Sequence, residues 1–111
     1  MMTVNQLADI LSAEKLNLSN GERQITCGYA GDLLSFVMGR APSDCAWFTV
    51  MTNVNICAVS VLADVSCIVV CEGSVLMDGV LERARQQNVN ILSTKLDVFS
   101  AIKKVCHEGQ I

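Results

Sequence analysis

The residues Ile25 to Arg40, ITCGYAGDLLSFVMGR, set two glycines, Gly28 and Gly31, between a β-branched segment and an apolar-periodic one. Strand, glycine turn and helix start, in that order, often bind phosphate. The first N–H groups of a helix are unpaired, and its dipole favours an anion. The chemistry stops short of a nucleotide site. A Walker loop continues into Gly-Lys-Ser/Thr, whereas Gly31 is followed by Asp32, Leu33 and Leu34. A dinucleotide fingerprint needs a third glycine at matching spacing. Asp32 would also place a carboxylate at the positive end of the helix, stabilising the helix and repelling an anion there. The segment reads as an ordinary strand-to-helix turn.

Six cysteines are the next candidates: Cys27, Cys45, Cys57, Cys67, Cys71 and Cys106. None forms a Cys-x-x-Cys pair. Cys67 and Cys71 flank Ile68-Val69-Val70, and on an extended strand positions four apart lie roughly 13 Å from each other, too far to share one zinc. With His107 as the single histidine, no metal site is expected, and the thiols read as small, reduced core residues. His107 falls beside Lys103 and Lys104 in a last helical turn, where positive charge complements the helix dipole. No Ser, Cys or carboxylate stands in a catalytic motif, so neither a catalytic residue nor a cofactor is assigned.

These residues must be positioned by one domain, since 111 residues can bury a core but not two. Net charge is −3 with no basic patch, and aromatic residues are 5%, which argues against nucleic acid as a partner. The N-terminus shows no signal peptide. The longest apolar run, Val54 to Cys71, is interrupted by Asp64, and a mid-bilayer Asp costs about 2.5–3.5 kcal/mol on insertion scales. A cytoplasmic protein without a membrane span is expected.

Thr3 is a plausible N-cap for a helix ending near Ala13, and Leu16 to Glu22 reads as a polar connector. Strands are expected at Gln24–Cys27, Ala46–Met51, Ser66–Cys71 and Val89–Leu92. Helices follow at Asp32–Met38, at Val54–Ala63 with Asn53 as cap, and at Asp78–Asn88. The last helix opens on a Thr94/Asp97 capping box. A helix followed by four strand–helix units predicts an α/β fold: one three-layer domain with a largely parallel four-stranded sheet and helices on both faces.

Three blocks, Ala30–Met38, Asn53–Gly73 and Asn88–Phe99, together resemble the DRTGG domain, with Leu81–Gln87 fitting the intervening helix. The resemblance covers Gln24 to Val105, leaving the N-terminal helix at residues 3–13 outside that core. The literal Asp-Arg-Thr-Gly-Gly motif does not occur, and Gly73 stands where the family's glycine-containing loop is expected. The resemblance implies a fold similar to the N-terminal domain of HPr kinase/phosphorylase, and an accessory, regulatory role without catalysis. Stand-alone family members occur in anaerobic bacteria and archaea, beside hydrogenase-type redox systems, which implies a protein partner of that kind.

Two functions are thus expected in competition: a regulatory module pairing as a homodimer, or a sensor for a nucleotide or metabolite. For a sensor, the C-terminal edge of a parallel sheet is the binding edge. The turns there supply Gly31, Asp32, Asn53, Asn55, Glu72, Gly73, Ser93 and Thr94. Asp32 and Glu72 against Lys95 suit a neutral or cationic ligand. For a dimer, the helix carrying Val54, Cys57, Ala58, Val61 and Leu62 is apolar on nearly every side, while one sheet covers only one of them.

Overall fold

The computed structural model describes residues 2–109 and Ile111. In chain order the elements are β1 (Met2–Thr3), α1 (Val4–Leu11), β2 (Glu14–Asn17), β3 (Gln24–Ile25), β4 (Cys27–Ala30) and α2 (Leu34–Arg40), then β5 (Cys45–Thr49), α3 (Asn55–Ala63), β6 (Cys67–Val70), α4 (Val80–Gln87), β7 (Ile91–Ser93) and α5 (Val98–Glu108). The main sheet has the order β2-β7-β6-β5-β4. The four strands from β4 to β7 run parallel, and β2 pairs antiparallel with β7.

Strands β5 and β6 are buried at every position, as their continuous apolar runs require when both sheet faces are covered. Alternate side chains feed two cores. Phe48, Val69 and Leu92 face one way and meet Leu7 and Leu11 of α1 and Ala101 and Val105 of α5. Trp47, Ile68, Val70 and Ile91 face the other way and meet Val37 of α2, Ile56 and Val59 of α3 and Ala84 of α4. The expected three-layer architecture is present.

Thr3 caps α1 as its sequence suggests: its hydroxyl accepts from Gln6 N at 3.2 Å while Gln6 Oε1 accepts from Thr3 N at 2.8 Å. Three helices stop on a left-handed residue that is not glycine: Ser12 after α1, Asp64 after α3 and Asn88 after α4. The N–H groups beyond them turn back onto the last carbonyls, for instance Val65 N on Ser60 O and Val89 N on Ala84 O.

Three local expectations are corrected. Part of the connector after α1 is strand β2, a fifth member of the sheet, whose pairing with β7 shifts between Lys15 and Asn17. Glu14 and Lys15 on this outer strand are exposed, as charges on a protected sheet edge should be. Gln24–Ile25 leaves the main sheet to pair with Met2–Thr3, so the parallel strand is β4 instead. Finally, the cap of α5 is Asp97, which accepts from Ser100 N at 2.7 Å, while Thr94 Oγ1 accepts from Leu96 N.

Candidate functional site

The parallel strands end on four turns along one edge of the sheet. At β4, Asp32 does not open the helix, because α2 begins at Leu34 with no side-chain cap. Its Oδ1 instead accepts from the buried Thr49 hydroxyl at 2.7 Å and from Val50 N at 2.9 Å, binding this turn to the end of β5. Gly31 joins the same tie, since its carbonyl accepts from Trp47 Nε1 at 2.9 Å. The carboxylate is thus used inside the fold, and the turn presents no phosphate cradle.

At β5, Asn53 Oδ1 accepts from Asn55 N at 2.9 Å, a local turn just ahead of α3. At β6 the chain reverses through Glu72 and Gly73, both left-handed, with Ser74 N on Cys71 O closing the turn. A turn of this hand needs positive φ at both central positions, which is why glycine stands at 73. Glu72 N donates to Leu96 O at 2.8 Å and Gly73 N to Thr94 O at 2.9 Å. The loop after β6 is therefore fastened to the turn after β7.

Below that fastening lies a groove of about 750 Å³. Gly73, Ser93 and Thr94 line it, and Gly31, Asp32, Asn53, Asn55 and Glu72 do not. The structure thus brings three of the eight expected residues to one groove. Its walls are leucines from distant parts of the chain: Leu11, Leu16, Leu76, Leu81 and Leu96, with Lys95, Lys104 and Glu14 as its charged groups. Sequence reasoning missed Leu11, Leu16 and Lys104, because only the pairing of β2 with β7 and the packing of α1 on α5 bring them to this end of the sheet.

At the opposite edge, the Arg23 guanidinium bridges Asp44 at 3.1 Å and Asp64 at 2.9 Å, and the Ser43 hydroxyl donates to Asp64 Oδ2 at 2.8 Å. The Ser43 hydrogen bond, then Arg23, holds the Asp64 carboxyl below its ordinary range. This edge is closed on itself. Among the described residues no group of three His, Cys, Asp or Glu side chains is placed to hold a metal ion. No helix among them is long and apolar enough to cross a membrane.

The thiols divide by burial. Cys45, Cys57, Cys67 and Cys71 are buried, Cys27 is half-buried and Cys106 is exposed. Burial pushes the Cys45 thiol up to about 12 and Cys71 to about 11, and raises Cys57 and Cys67 as well. A thiol pKa raised by folding contributes stability below the unfolded value of about 8.5, and that contribution is lost as pH rises towards the folded value. The expected outcome is rapid alkylation of Cys106 at pH 7.5, slow alkylation of Cys27, and four thiols that react only after unfolding. The melting temperature should decline above about pH 9 for the same reason. Mass spectrometry of the alkylated peptides and a melting series check both.

Helix α3 presents a second surface. Ile56, Cys57, Val59 and Ser60 face inward, while Val54, Ala58, Val61 and Leu62 recur at i, i+4, i+7 and i+8; Val54 and Ala58 are half-buried, with Val54 packed on the core, and Val61 and Leu62 are exposed. Val61 is 51% exposed and Leu62 73%. Cys57 is fully buried, so it is removed from the expected interface set. Beside α3, helix α2 leaves Leu33, Phe36 and Met38 exposed, with the Arg40 guanidinium 3.8 Å above the Phe36 ring.

An open, mostly parallel sheet with helices on both faces and a groove at its C-terminal edge defines a small α/β domain. Its fold recurs in a solved structure. The CBS and DRTGG domains of the regulatory region of a Clostridium perfringens pyrophosphatase, complexed with the activator diadenosine tetraphosphate, match it with a TM-score of 0.73 at 18% identity. The match covers 93% of this chain and 45% of that one, so this chain spans less than half of that regulatory region. The fold is DRTGG-like, as the sequence blocks imply. No protein-family model matches the sequence, and no curated protein does either.

Proposed function

We propose that the protein is a non-catalytic regulatory module that pairs as a homodimer through the outward face of α3 and the exposed side of α2. The carrying observation is the outward row Val54, Ala58, Val61 and Leu62. Val54 and Ala58 of this row are half-buried, but Val61 and Leu62 are exposed, and the neighbouring α2 segment leaves Leu33, Phe36 and Met38 exposed as well. Exposed apolar surface of this kind marks an interface, and two-fold self-pairing is the commonest arrangement of a small domain. The likeness to a regulatory region supports the regulatory role. The module would act in the cytoplasm of a bacterium or archaeon through a protein partner, with a redox or hydrogenase-type system as the first to examine.

Leu62→Glu and Val61→Glu test the pairing. Both side chains are exposed, so folding is retained while two charges enter the interface. Sedimentation should show the wild type at twice the 12.0 kDa chain mass and the double variant at that mass alone. A wild type that sediments as one chain at tens of micromolar contradicts the proposal.

A second reading, a small-molecule sensor at the C-terminal edge of the sheet, is favoured by one observation, the groove beneath the β6–α4 loop. The two readings are compatible, since the groove shares no residue with the α2–α3 face.

A further inference from the structure

We propose that this groove binds an organic monoanion with an apolar body, an aromatic or acyl group carrying one carboxylate or sulfonate. The assignment rests on the sensor reading of the sheet end and is independent of pairing through α2 and α3. A volume of about 750 Å³ lies within the range of small-molecule sites, roughly 300–1,000 Å³. Five leucines supply the walls such a body requires, contributed by α1, β2, the loop before α4, α4 itself and the turn before α5. Binding there would withdraw apolar ligand surface from water, the main favourable term for a site of this composition.

Charge decides the class. The turns taken together offer Asp32 and Glu72 against Lys95, a balance that selects a cation. Folding changes the balance. Neither Asp32 nor Glu72 lines the groove, and Asp32 is held at the β4 turn by Thr49 and Val50. What remains is Lys95 and Lys104 against Glu14. The Asp97 carboxylate, two residues beyond Lys95, is held by Ser100 N and the Ser100 hydroxyl as the cap of α5. The stem of Lys95 crosses Gly73, where an added Cβ would lie 3.9 Å from its Cγ. Lys95 thus lines the groove beside the fastened loop. A single negative group is therefore matched, and a triphosphate would exceed the two ammonium groups available.

The test uses two probes on the intact chain: 8-anilinonaphthalene-1-sulfonate, an aromatic monoanion, and N-phenyl-1-naphthylamine, its uncharged counterpart. Fluorescence titration gives affinity, and amide chemical-shift mapping gives location. The anionic probe should bind at least tenfold more tightly and shift Leu76, Ser93, Lys95 and Leu96. In Lys95→Glu/Lys104→Glu, both sites being exposed, that preference should be lost while the neutral probe is unaffected. Equal affinity for the two probes in the groove, or no change on charge reversal, would overturn the anion assignment and leave the sensor reading standing. No shift at the groove with either probe, or shifts confined to Phe36 and Leu62, would remove the sensor reading itself.

Discussion

Trp47→Ala should cost about 3–5 kcal/mol, the range for emptying the space of a buried aromatic side chain. Trp47 is fully buried in the middle of β5, next to Tyr29 of β4 and Ile68 of β6 in the strand register. Its indole N–H also holds the Gly31 carbonyl, so the variant loses the tie between the β4 turn and the sheet as well as its packing. Urea unfolding followed by far-ultraviolet circular dichroism measures the loss. Should the alanine variant be too unstable to purify, Trp47→Phe separates the contributions. It keeps most of the apolar volume and gives up the hydrogen bond, for an expected loss of about 1 kcal/mol. A cost below that for Trp47→Ala would mean that β5 is not the centre of this fold.

Asn90→Ala is the second large effect, expected at about 3 kcal/mol from several buried or half-buried polar groups left without partners. Asn90 is 4% exposed and uses both ends of its amide. Its Oδ1 accepts from Ser19 N and Asn20 N, each at 2.9 Å, and its Nδ2 donates to Asn20 O at 2.9 Å and Ser66 O at 3.0 Å. One side chain thus ties the chain after β2 to the start of β6. Because the Ser66 carbonyl stays buried in the variant, Asn90→Leu should not recover the loss. Thermal and urea unfolding of both variants checks this, and a leucine variant as stable as wild type would contradict it.

The same side chain shows where sequence reasoning reaches its limit. Valine, isoleucine and leucine around Asn90 mark a strand by their types alone, and β7 is there. That Asn90 meets residues 70 and 71 positions earlier is a tertiary fact that no local pattern carries. Strand β2 was illegible for a related reason. Glu14, Lys15 and Asn17 have no strand preference of their own and are held extended by β7 alone.

Where the signal was local, it was read well. The Thr3 cap, the buried strands β5 and β6 and the all-round apolar α3 are each legible from short stretches. Within α3, helical periodicity places Val54, Ala58, Val61 and Leu62 together; Cys57 stands one turn before Val61, only about 40° round the helix, and that small rotation puts it in the core. Asp32 failed differently. A carboxylate after a glycine is a good helix-start signal, but Thr49 and Val50 offer it two donors across the sheet edge. The candidate groove depended on such long-range closure throughout, which is why its glycine and hydroxyl residues were found and its leucine walls were not.

The central claim is that the outward face of α3 meets a second copy of this chain. An isotope-filtered nuclear Overhauser experiment on a one-to-one mixture of ¹³C-labelled and unlabelled protein tests it most directly, because only contacts between copies give signal. Pairing through this face predicts intermolecular signals from the Val61 and Leu62 methyl groups to protons of Leu33, Phe36 or Met38 or to the same helix of the other copy. Absence of intermolecular signal at millimolar concentration would contradict it, as would signals arising only from another exposed apolar side chain, such as Phe99 on α5, which is 77% exposed.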